Sequence, residues 1–146
     1  MNRVSHKLLR KVASREEIPL SEALTVGAGV VGDHREQYPL ALLIEDDYLG
    51  CSLNHRPPDG AERQREYSQA IGFHIFTLPK KEDGSREYQG IISRGSVDPQ
   101  KERVFLKAKG ALYLEERDQR QSERLFTLFM IFASAVAASL ITRLFE

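Results

Sequence analysis

Apolar residues in "RVSHKLLRKVASR" recur at helical spacing. Val4, Leu8, Leu9 and Val12 share one face, which predicts an amphipathic first helix rather than a basic targeting peptide. Ser14 and Glu17 fit the S-x-x-E start of a further turn. "EIPL" follows as a short extended piece fixed by Pro19, and Ser21 suits the N-cap of a second helix. In "HREQYPLALLIEDDYLGCSL" the stripe Leu40, Leu43 and Ile44 marks a third helix, with Pro39 in its first turn, running into a strand. "HRPPDGAERQRE" is polar and broken by Pro57, Pro58 and Gly60. "AIGFHIFTL" and "REYQGIIS" then read as strands joined by the hairpin loop "PKKEDGS". Next, "ERVFLKAKGALYLEERDQRQSER" reads as a strand, a Lys-Gly helix start and a helix.

The pattern changes at the C-terminal end. "LFTLFMIFASAVAASLIT", Leu125 to Thr142, lacks any charge, Pro, Gly, Asn or Gln, and Arg124 and Arg143 bracket it. At 1.5 Å per residue, such a run approaches the roughly 30 Å of a bilayer core. It predicts a single transmembrane helix, with the apolar length extending to Leu144 (125–144). Ala133, Ser134, Ala137 and Ala138 place small residues where helices pack closely in lipid. Lys107, Lys109, Arg117, Arg120 and Arg124 outweigh Arg143 across the span. The expectation is a tail-anchored, single-pass membrane protein with its N-terminal domain in the cytoplasm.

Charge narrows the partners. Twenty-one Lys and Arg balance twenty-one Asp and Glu, so no basic surplus announces nucleic acid. Cys51 is the only cysteine, which excludes an intramolecular disulfide and CxxC zinc sites. His6, His34, His55 and His74 are scattered, and no metal site is expected. Neither a nucleophile-base-orienter set nor a cofactor motif stands out, so the reading is a protein without catalytic residues or cofactor. Glu45, Asp46 and Asp47 are consecutive and do not face one another on a helix, so they read as a solvated C-terminal edge.

One motif points elsewhere. "LTVGAGVVGDH" holds G-x-G-x-x-G at Gly27, Gly29 and Gly32. A dinucleotide site needs a buried strand before that turn and a long helix after it. Here a helix start precedes it and Pro39 follows closely, so the GAGVVG turn is read as a flexible connection, with nucleotide binding as the lesser alternative.

Two stretches, "ALLIEDDYLGCSL" and "RVFLKAKGALYLEE", resemble the recognition-helix end and the closing helix of winged helix-turn-helix proteins, in particular short bacterial and phage winged-helix proteins of unknown function. The resemblance covers roughly residues 3–55 and 103–118; Asp47 stands where that family usually has glycine. It implies an α+β winged-helix-like domain over 1–118, enlarged by a β wing and extra hairpin at 55–102, then a juxtamembrane helix at 119–124. By helix-turn-helix docking, His34, Arg35 and Gln37 are the candidate contact residues, with Arg56, Arg63 and Arg65 in the wing. The function expected is binding of a partner protein as an accessory or regulatory subunit of a membrane assembly. Membrane lipid and a homo-oligomer through the apolar helix are further expected partners. A membrane-anchored DNA-binding regulator is the alternative, with nucleic acid bound weakly.

Overall fold

The computed structural model describes residues 2–26, 32–53, 64–95 and 97–144, with side chains as far as residue 135. Two compact units appear, Met1–Ala111 and Leu112–Glu146, so the first ends short of the expected 118.

In the first unit, α1 (Arg3–Ala13) starts where Asn2 accepts the Ser5 N–H at 2.7 Å. Its buried face carries Leu8, Leu9 and Val12. Ser14 caps its C-terminus instead of opening a new turn, and the chain enters β1 (Glu17–Pro19) through the left-handed Glu16. Helix α2 (Leu20–Thr25) begins one residue before Ser21, on Pro19. A 3₁₀ turn (His34–Gln37) leads into α3 (Tyr38–Glu45), which carries Pro39 at its start. Strands β2 (Leu49–Cys51) and β5 (Arg103–Leu106) complete a three-stranded antiparallel sheet in the order β1-β5-β2. Ile18 and Cys51 both pair with Val104, on opposite sides of the central strand. Leu8, Leu9, Val12, Ile18, Leu20, Leu49 and Val104 are almost wholly buried and form the core between helices and sheet. Each contributes about 1.5–3 kcal/mol relative to exposure.

The end of α3 is a Schellman motif. Tyr48 N–H bonds to the Leu43 carbonyl at 2.9 Å and Asp47 N–H to the Ile44 carbonyl at 3.1 Å, with Asp47 left-handed at φ 62°. Two lysines at the start of α5 (Ala108–Leu144) meet this edge at Asp46 and Asp47, while Glu45 accepts from the Gln69 side-chain amide. Lys107 Nζ lies 2.6 Å from Asp47, and Lys109 Nζ donates to the Asp46 carbonyl at 2.7 Å. These cations offset the negative end of the helix dipole.

The expected β wing is corrected. "AIGFHIFT" belongs to a helix, α4 (Arg65–Thr77), packed mainly on α3 and the 3₁₀ turn and also on α2. Because several faces of α4 are covered, its apolar residues lose the helical stripe and imitate a short strand. The hairpin lies inside "REYQGIIS" instead: β3 (Arg86–Tyr88) pairs with β4 (Ile91–Ser93). Gln89 and Gly90 turn it at φ 51° and 80°, the left-handed pair of a two-residue hairpin.

The second unit is the continuation of α5. The expected membrane anchor is overturned: among the described residues, no helix is long and apolar enough to cross a membrane. The first half of the helix is charged, with Glu116 and Arg120 paired one turn apart. The single-pass, tail-anchored localisation and cytoplasmic orientation fall with the anchor. Of the small residues expected to pack helices, Ala133 and Ser134 are exposed, and the Ser134 hydroxyl donates to the Met130 carbonyl of its own helix at 2.7 Å. The side chains of Ala137 and Ala138 lie outside the described residues.

Candidate functional site

The helix start expected to make contacts is divided by the fold. Gln37 is buried, its side-chain amide directed at the Leu24 carbonyl at 3.4 Å. Arg35 is exposed, but its guanidinium is held by Asp33 at 2.7 Å. That pairing lowers the Asp33 pKa and raises that of Arg35. Arg65 is exposed at the first residue of α4. Arg56 and Arg63 lie outside the described residues, as do Gly27, Gly29 and His55. Gly32 is left-handed and leads directly into the turn at Asp33, which caps it by accepting the Arg35 N–H at 2.8 Å.

His34 faces inward, toward groups that its position in the sequence does not suggest. Its Nδ1 lies 3.0 Å from the Tyr88 hydroxyl. Its ring packs edge-on against Tyr67 at 5.2 Å and Tyr88 at 5.9 Å between centroids, and Tyr38 lies at 6.0 Å. From α4, His74 meets the other side of Tyr88 at 4.5 Å. Burial pushes the His74 pKa down, against the pull of Asp33 and Glu36. Burial also pushes the Tyr38 phenol up, aided by Tyr67 and Glu66. This cluster joins the 3₁₀ turn, α3, α4 and β3. Such rings are worth about 0.5–1.5 kcal/mol per pair beyond their buried area. Among the described residues, no group of three or more His, Cys, Asp or Glu side chains is placed to hold a metal ion.

Along α4, sharing Tyr67 with this cluster, lies an apolar groove of about 560 Å³. Tyr67, Ile71, Gly72, Ile75 and Phe76 form its floor at helical spacing, and Ile91, Ile92 and Ser93 of β4 form a wall. Ile91 and Ile92 are 47% and 52% exposed. Among the described residues β4 pairs with β3 alone, and it lies beside the groove. Large apolar side chains in a concave site are a more informative signal than single exposed ones. Sequence reasoning missed this groove because it assigned its floor to a strand. Two adjacent isoleucines after a Gln-Gly turn were the available clue.

Comparison of the chain with family models, with curated proteins and with solved structures gives no match.

Proposed function

We propose that the first unit is a non-catalytic protein-binding module on a winged-helix-like frame, taking an extended apolar segment of a partner protein in the groove between α4 and β4. The groove with its two half-exposed isoleucines is the observation that carries this reading. The β4 edge, which pairs with no strand but β3 among the described residues, favours an extended occupant: a peptide there gains main-chain hydrogen bonds and drops alternate side chains into the groove. The frame rests on the order helix, strand, helix, helix, strand, strand, helix around the sheet β1-β5-β2, with α4 and the β3–β4 hairpin inserted. Protein rather than DNA is favoured because α4 covers α3 and the 3₁₀ turn, the elements that would face base edges.

Selection from a random-peptide display library on the full chain tests the proposal. Enriched peptides should be apolar and extended. Ile92→Asp should weaken them at least tenfold, about 1.4 kcal/mol, while leaving the melting temperature unchanged. Peptides that bind Ile92→Asp as tightly as the parent would refute it.

A further inference from the structure

We propose that the contact of Tyr88 with His34 and His74 is an acid-sensitive latch holding the β3–β4 hairpin against α4. The inference stands on the arrangement of these rings and does not depend on what the groove takes.

Tyr88 ties the hairpin to the rest of the unit. Its hydroxyl lies 3.0 Å from His34 Nδ1 and 3.5 Å from the His34 backbone N–H, while its ring rests on His74. The second tie is Arg86, whose Nε donates to the Leu78 carbonyl at 3.0 Å at the end of α4. His74 is only 5% exposed, and its Nδ1 is buried with no hydrogen-bond partner among the described residues. A protonated ring would bring a positive charge and an unpaired N–H into this interior, which is costly unless an acceptor is present.

Among the described residues, the groups around the ring do not supply that acceptor. From the 3₁₀ turn and its cap, Asp33 and Glu36 favour the cation, and His34 opposes it. Asp33 is engaged by Arg35 at 2.7 Å, and Glu36 accepts the Gly32 N–H at 2.8 Å. From α3, Tyr38 faces His34; from β3, Tyr88 covers His74. Burial prevails, and the His74 pKa is held below its ordinary value. The sign follows. A base with a lowered folded pKa supports the closed state fully above the ordinary histidine value of about 6.5. That support is lost as pH falls from there toward the lowered value. Movement of the hairpin away from α4 exposes His74 to water and relieves the penalty.

The test uses the full chain with isotope-labelled histidine. Ring resonances are titrated between about pH 8 and pH 5, through the histidine range. Over the same range, amide exchange of Tyr88–Ser93 is measured relative to that of α1, corrected for intrinsic rates. His74 should titrate below about 6.5, and relative hairpin exchange should rise with acid up to about tenfold for each unit of that gap. His74→Phe should make the profile flat. Tyr88→Phe, which keeps the ring but removes the hydroxyl, should speed hairpin exchange throughout the range. A His74 midpoint at or above the ordinary value, or hairpin protection that does not change with pH, overturns the latch. So does a pH response that persists in His74→Phe. The wild-type titration decides alone if that variant does not fold.

Discussion

Replacing Gly110 with alanine should destabilise the first unit, against the usual trend for helices. In an exposed helix interior this exchange stabilises by about 1 kcal/mol. Here a Cβ at residue 110 would sit 2.3 Å from the Tyr48 carbonyl oxygen, 2.9 Å from Leu106 Cδ1 and 3.2 Å from Leu9 Cδ1. The leucine side chains can turn aside. The carbonyl belongs to the backbone entering β2 and already accepts the Lys107 N–H at 3.1 Å. An ordinary carbon–oxygen contact is about 3.3 Å or more, so the first turn of α5 must retreat by roughly 1 Å. That retreat strains the Lys107 bond and the contacts of Lys107 with Asp47 and of Lys109 with the Asp46 carbonyl. Overpacking costs about 1–3 kcal/mol and a lost hydrogen bond about 1 kcal/mol. Set against the helix gain, the net loss is about 2 kcal/mol. For a unit of this size that lowers the melting temperature by roughly 10 °C. Urea and thermal unfolding followed by circular dichroism measure it. A Gly110→Ala protein as stable as the parent, or more stable, would show that α5 does not approach Tyr48 this closely.

Two further outcomes follow from local geometry. Asp47→Gly should be more stable than Asp47→Ala by about 1 kcal/mol in urea melts, because only the alanine pays for the left-handed conformation at φ 62° while both lose the Lys107 pair; equal stabilities would count against that conformation. Burial pushes the Cys51 thiol up, Glu102 adds to the effect, and a backbone hydrogen bond involving Leu53 opposes it. Alkylation near neutral pH should therefore run about tenfold slower than for a free thiol and recover that rate in denaturant; a native rate equal to the denatured one would contradict this.

The frame was legible where one face of an element meets the core. Leu8, Leu9 and Val12 announced α1 because α1 is covered on one side only. The two stretches that carried the family resemblance prove to be one contact: "IEDDYLG" supplies the Asp47 turn and the Tyr48 carbonyl, and "KAKG" supplies the two lysines and the glycine that fit against them. Asp47, where the proteins it resembles usually carry glycine, takes the left-handed conformation that favours glycine, and its carboxylate is held by Lys107. The pattern failed where burial is many-sided. Helix α4 has neighbours on α2, α3, the 3₁₀ turn and β3, so its apolar positions follow the neighbours and not the helical period. The membrane reading failed differently. It rested on the uncharged run Leu125 to Thr142 alone, whereas among the described residues no helix is long and apolar enough to cross a membrane, and the same helix is charged through its first half.

The site was less legible than the frame, for a reason in the topology. His34 and His74 are forty positions apart, and only the closure of α4 on the 3₁₀ turn brings both to Tyr88. The sequence reading of His34, Arg35 and Gln37 assumed that the start of the third helix meets solvent, as a reading helix does. With α4 laid over it, Gln37 goes inward, His34 turns to a tyrosine, and Arg35 closes on its own cap. Helix α4 thus removes one surface and creates another, because it also lines the groove beside β4. Which surface is left to bind depends on what α4 covers, and that is a property of its packing, not of a motif read from the sequence.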